Sequence, residues 1–129
     1  KLFICLPSGR KLAYIEPEKR LNSFNRMELT YMGVGKTRKW ERIMTYGPKL
    51  VENCIQAIAR DILAEAMLRV DATGFDIVAH VHDEMIVEVP NGKSSVKELC
   101  DMMAESPDWV DDKLPLRADG YECEWYRKD

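Results

Sequence analysis

Residues 80–84, His80-Val81-His82-Asp83-Glu84, bring two imidazoles and two adjacent carboxylates into one short stretch. Side-by-side carboxylates repel, and burying them is costly without a cation or hydrogen-bond donors to compensate. A hard divalent cation that prefers oxygen ligands gives such a pair its chemical reason, and would serve phosphoryl transfer. Two other readings compete. His80 and His82 lie two apart on one strand face, a start for zinc, yet no third ligand sits at a convincing spacing. The stretch is also consistent with an ordinary polar hairpin tip.

Something must hold these groups out. Ile77–Ala79 and Met85–Val89 flank them with apolar, β-branched runs, so a hairpin bending at the acidic step is expected. Leu2–Leu6 and Leu12–Ile15 around Pro7-Ser8-Gly9-Arg10 predict an earlier hairpin, and residues 16–26 read as a polar loop. Met27–Met32 and Thr37–Ile43 around Gly33-Val34-Gly35-Lys36 predict another. Between the hairpins, Lys49 to about Val70 carries apolar residues at helical spacing, with Pro48 suited to its first turn and Gly74 to its end. So apolar a helix is expected at the centre of the core. Ser95-Val96-Lys97-Glu98 has capping-box spacing and starts a helix reaching about Ala104. Leu114–Trp125 reads as a closing strand, with Gly120 as a bulge. The fold class is α+β: antiparallel β-hairpins packed on a long central helix.

At 129 residues the chain suits a single domain, and its 46% hydrophobic content excludes disorder. No apolar run reaches membrane-spanning length, so no membrane partner is expected. The chain opens at Lys1 within an apparent strand, which suggests a piece of a longer protein. Four scattered cysteines without a Cys-x-x-Cys pair argue against disulfides and structural zinc; buried free thiols and a reducing cytoplasm are expected. The net charge of −3 conceals an asymmetry: residues 1–50 carry 11 Lys/Arg against 4 Asp/Glu, and the remainder 8 against 18. The front half could follow a phosphate backbone, which the rear would repel.

Gln56-Ala57-Ile58-Ala59-Arg60-Asp61-Ile62, followed about 20 residues later by Val81-His82-Asp83-Glu84, resembles the family A DNA polymerases of the polymerase I type. Leu6-Pro7-Ser8-Gly9-Arg10, the run Thr45–Asn53 and the ending Ala118–Tyr126 look like the phage and prophage branch. The resemblance spans essentially the whole chain and implies the C-terminal part of a palm subdomain. It implies that Asp83 holds the catalytic magnesium ions, with Glu84 supporting or weakly contacting them and His82 beside the primer terminus. It places Gln56 at the minor groove of the primer–template, where acceptors occur on every base pair. Lys49, by its charge, is a phosphate contact or simply a solubilising lysine. Asp61 is read as holding the helix against the hairpin, with a catalytic role as the alternative. The implied partners are primer–template DNA, deoxynucleoside triphosphates and the remainder of the polymerase, and the implied setting is the bacterial or phage-infected cell.

The chain also departs from the pattern. Glu52 stands where many members have Asn, with Asn53 one place later, and Pro48 where many bacterial members have Arg. The first carboxylate motif, the fingers helix, the thumb and any exonuclease segment lie outside these residues. The 129 residues alone are therefore expected to be inactive. The alternative is a non-catalytic primer–template-binding or assembly module, such as half of a split polymerase.

Overall fold

The computed structural model describes residues 1–111 and 113–126. The chain is α+β, with two antiparallel sheets and two helices. It divides into two compact units, residues 1–58 and 59–129, treated separately below.

The first unit is built on a four-stranded antiparallel meander: β1 (Leu2–Cys5), β2 (Lys11–Leu21), β3 (Met27–Val34) and β4 (Trp40–Thr45). Both expected hairpins form, but the second turns later than expected: Gly33 and Val34 belong to β3, the turn is residues 35–39, and β4 begins at Trp40 rather than Thr37. The two hairpins are joined because β2 does not end at Ile15, contrary to the polar-loop expectation for residues 16–26. β2 spends three residues between its partners Ile15 and Glu18 while β3 moves two, from Met32 to Thr30, so one extra residue bulges out. Glu16 takes φ 46° there. Arg42 fastens the bulge, its Nη1 donating to the Glu16 carbonyl at 2.9 Å and to Thr30 Oγ1 at 3.2 Å. Polarity misled because the segment pairs through its backbone, while its side chains stay largely exposed.

All three meander turns share one geometry. In residues 6–10, 22–26 and 35–39 the first amide donates to the fifth carbonyl (2.8, 2.8 and 2.9 Å), and the fourth amide to the first carbonyl (2.9, 3.0 and 3.0 Å). The fourth residue is left-handed each time: Gly9 (φ 86°), Asn25 (60°) and Arg38 (59°). This matches a three-residue hairpin loop closed by a left-handed residue. Glycine suits that position and asparagine tolerates it, whereas arginine is strained there by about 1–2 kcal/mol. Buried Tyr14 meets Tyr31 edge-to-face, with centroids 5.0 Å apart and planes at 82°.

α1 (Gly47–Ala72) begins in the first unit and runs into the second. Pro48 lies in its first turn, and after it Gly74 turns left-handed, its amide donating to the Asp71 carbonyl at 2.9 Å. In the first unit Asn53 Nδ2 donates to Tyr14 Oη (3.3 Å) and Arg10 to the Ala57 carbonyl (3.0 Å), tying helix to meander. The helix is not buried along its whole length, as its apolar content suggested. Leu63, Ala66 and Val70 are buried, but Val51 and Ile55 are 58% and 62% exposed.

The second unit adds β5 (Asp76–Val81), β6 (Glu84–Glu88) and α2 (Val96–Ala104). Ser95 caps α2, its side chain accepting from the Glu98 amide at 3.2 Å, as the spacing required. Arg69 on α1 donates to the carbonyls of Met102 (2.6 Å) and Glu105 (3.1 Å), satisfying the exposed C-terminal end of α2. Trp109 donates its indole N–H to Glu65 at 2.7 Å. The expected closing strand does not form among the described residues of 114–125. Pro115 cannot donate a ladder bond. Gly120 serves close approach rather than a bulge: a Cβ there would lie 3.0 Å from Val96 Cγ1 and 3.2 Å from Cys100 Sγ. The cysteines are free, but none is fully buried; Cys5 and Cys123 are exposed, and Cys54 and Cys100 are intermediate.

Candidate functional site

Val81 pairs with Glu84 across β5 and β6, which leaves His82 and Asp83 as a two-residue turn. His82 takes φ 53° at its first position, where the turns that match strand twist require a positive angle. The consequence is a tight tip with no slack: Asp83 is exposed at its apex, and Glu84, at the first pair of β6, is half-buried. Asp83 thus lies in the turn itself, and Glu84 is the first residue of β6. Glu84 Oε2 is met by Tyr126 Oη at 3.5 Å. Partial desolvation, reinforced by that carboxylate, pushes the Tyr126 phenol above its ordinary range. In the sequence Tyr126 stands only as the end of the Ala118–Tyr126 run, and nothing in its local pattern points to residue 84.

His80 lies inside β5 opposite Met85, and an extra residue at Val78 disturbs the register before it. Among the described residues no group of three or more His, Cys, Asp or Glu side chains is placed to hold a metal ion. The zinc reading therefore lacks a ligand set. Asp83 and Glu84 still have the chemistry that magnesium takes, since that ion is usually bound by one or two carboxylates together with substrate phosphates.

The first unit carries the candidate DNA contacts. Lys49 and Gln56 are both exposed on α1, and Glu52 lies between them at helical spacing. One oxygen of Glu52 accepts from Lys49 Nζ at 2.9 Å, the other from Gln56 Nε2 at 3.1 Å. The hydrogen bond to Glu52 raises the Lys49 pKa, although burial opposes it. Glu52 thus engages both groups expected to meet DNA. Asn53 is held against Tyr14, a structural use of the displaced asparagine. Asp61 is half-buried in the second-unit part of α1.

Against known proteins, the 129 residues align with a DNA polymerase of Bacillus phage SP02 at 46% identity. The alignment takes in 99% of this chain and 20% of that protein. The chain thus spans about one fifth of its relative's length. No family model matches the sequence, and no solved structure matches it. Among the described residues no helix is long and apolar enough to cross a membrane.

Proposed function

We propose that these residues form the C-terminal palm portion of a phage-type family A DNA polymerase. In this reading they carry the His82-Asp83-Glu84 tip to a magnesium-dependent nucleotidyl-transfer site that other parts of the polymerase complete. The carrying observation is the two-residue β5–β6 turn, which holds Asp83 out in solvent at the tip of a short hairpin. The identity to a phage DNA polymerase over the whole chain supports the same reading.

The reaction is attack by a primer 3′-hydroxyl on the α-phosphorus of a deoxynucleoside triphosphate, releasing pyrophosphate. Magnesium, when bound, neutralises charge on the reacting phosphates. Asp83 supplies a carboxylate to it, and Glu84, steadied by Tyr126, adds a neighbouring negative charge. His82 is set at the bend where a primer end is presented. Gln56 and Lys49 meet the primer–template once Glu52 releases them. The tip provides only part of a ligand set, so turnover requires the rest of the polymerase. The test is incorporation of labelled nucleotide on a primed template by the intact polypeptide and by residues 1–129 alone. Only the former is expected to extend the primer; extension by the latter contradicts the reading.

The second reading, a non-catalytic nucleic-acid-binding module, is favoured by the excess of basic residues in the first unit. It predicts binding of primed DNA without magnesium, and no loss of any function on changing Asp83.

A further inference from the structure

The third meander turn is the one whose sequence disagrees with its backbone. Gly9 and Asn25 fill the left-handed position of the first two turns; Arg38 fills it in the third. Strain kept at one of three equivalent positions points to a use for the side chain. Three cations crowd this turn, Lys36, Arg38 and Lys39, all exposed. Some exposed cations elsewhere have acid partners, as Arg20 has Glu18 at 2.8 Å and Lys49 has Glu52 at 2.9 Å, while others among the described residues, such as Lys11 and Lys19, stand alone. Among the described residues these three side chains have no acid partner either. The nearby acid Glu41 folds over Gly35, where an added Cβ would collide with its carboxylate. Immediately after the cations, Trp40 opens β4 with 60% of its surface exposed, across from Val34, 62% exposed.

We infer that the β3–β4 turn is a contact for single-stranded nucleic acid. Lys36, Arg38 and Lys39 track its phosphates, and Trp40 stacks on an unpaired base. Unpartnered cations beside an exposed indole are what a sequence-tolerant single-strand surface requires. A duplex, whose bases are already stacked, offers Trp40 no face. A bare solvated charge run would explain the lysines, but neither the strained arginine nor the exposed tryptophan. The inference deepens the polymerase reading by naming where an unpaired strand touches, and it rests on that reading only for the strand being a template.

The test uses the intact polypeptide, a fluorescent oligothymidylate, and no magnesium, so that failure at Asp83 cannot affect it. Fluorescence anisotropy across a salt series gives affinity and salt slope; thermal unfolding gives stability. Arg38→Gly is expected to act in opposite directions: the folding equilibrium rises roughly five-fold or more as strain is relieved, while the salt slope falls by about 0.7. Substituting Gln for Lys36, Arg38 and Lys39 together lowers the slope by about 2. Trp40→Ala weakens binding about tenfold with the slope unchanged, and Trp40→Phe restores most of the loss. The inference is overturned if wild-type protein does not bind the oligonucleotide. It is equally overturned if Arg38→Gly and the triple variant keep the wild-type slope, or if Trp40→Ala binds as tightly as wild type.

Discussion

The meander and the β5–β6 hairpin solve the same problem, reversing an antiparallel strand, with different degrees of slack. Each meander turn has three loop residues and two backbone hydrogen bonds, with its left-handed residue placed late. The β5–β6 turn has only two loop residues, and its left-handed residue, His82, comes first. In the meander the first two turns obey local preference, so they need no functional explanation. Arg38 and His82 do not have glycine's freedom, and each sits beside charged groups with chemistry to perform. Among the described residues, left-handed non-glycine positions occur at the Glu16 bulge and at Asn25 as well. Of the turns, only those of Arg38 and His82 place a residue without a turn preference beside a candidate contact surface, one basic and one acidic.

That contrast can be attacked directly. The largest stability effect is expected at the relaxed end. Gly9 has open space around it, so Gly9→Val meets no neighbour and its whole cost is conformational. A β-branched residue at φ 86° should destabilise the protein by about 2 kcal/mol or more in denaturant titration. A loss below about 0.5 kcal/mol would remove the basis for reading Arg38 as strained.

His82→Gly should do the reverse. Stability is expected to rise by about 1 kcal/mol as the turn relaxes, while primer extension by the intact polypeptide falls about tenfold or more. Unchanged extension would reduce His82 to a turn residue. Smaller again is the effect of Glu52→Gln. The side chain keeps its shape but loses the charge that holds Lys49 and Gln56. Binding of primed duplex should tighten by roughly three-fold in low salt, with the gain fading as salt screens it. Weaker binding would mean that Glu52 orients those groups for DNA rather than withholding them.

Much of this architecture was legible because the local signals are strong. Pro48, the apolar spacing from Val51 to Val70 and Gly74 mark α1, and Ser95 with Glu98 marks the start of α2. The hairpin at residues 82–83 was legible because two β-branched runs flank a polar step. Tertiary partners decided what was missed. Residues 18–21 continue β2 by pairing with β3 past a bulge at Glu16 that Arg42, from β4, bonds. Residues 114–125 alternate like a strand, yet Pro115 breaks the ladder and Gly120 is drawn against α2. The tie between Glu52, Lys49 and Gln56 was only half visible: helical spacing permits it, but does not show that one acid engages both. Arg38 escaped notice since arginine carries no turn signal. The matching five-residue frames at 6–10, 22–26 and 35–39 emerge only from the hydrogen bonds.

The most direct measurement is magnesium-dependent primer extension by the intact polypeptide carrying Asp83→Asn, beside thermal unfolding of the same variant. Asp83 is exposed at a turn, so its melting temperature should stay within a few degrees of wild type. Extension should drop by at least about a hundredfold. A variant that melts normally and still extends primers within tenfold of wild type would show that this carboxylate does not hold the metal.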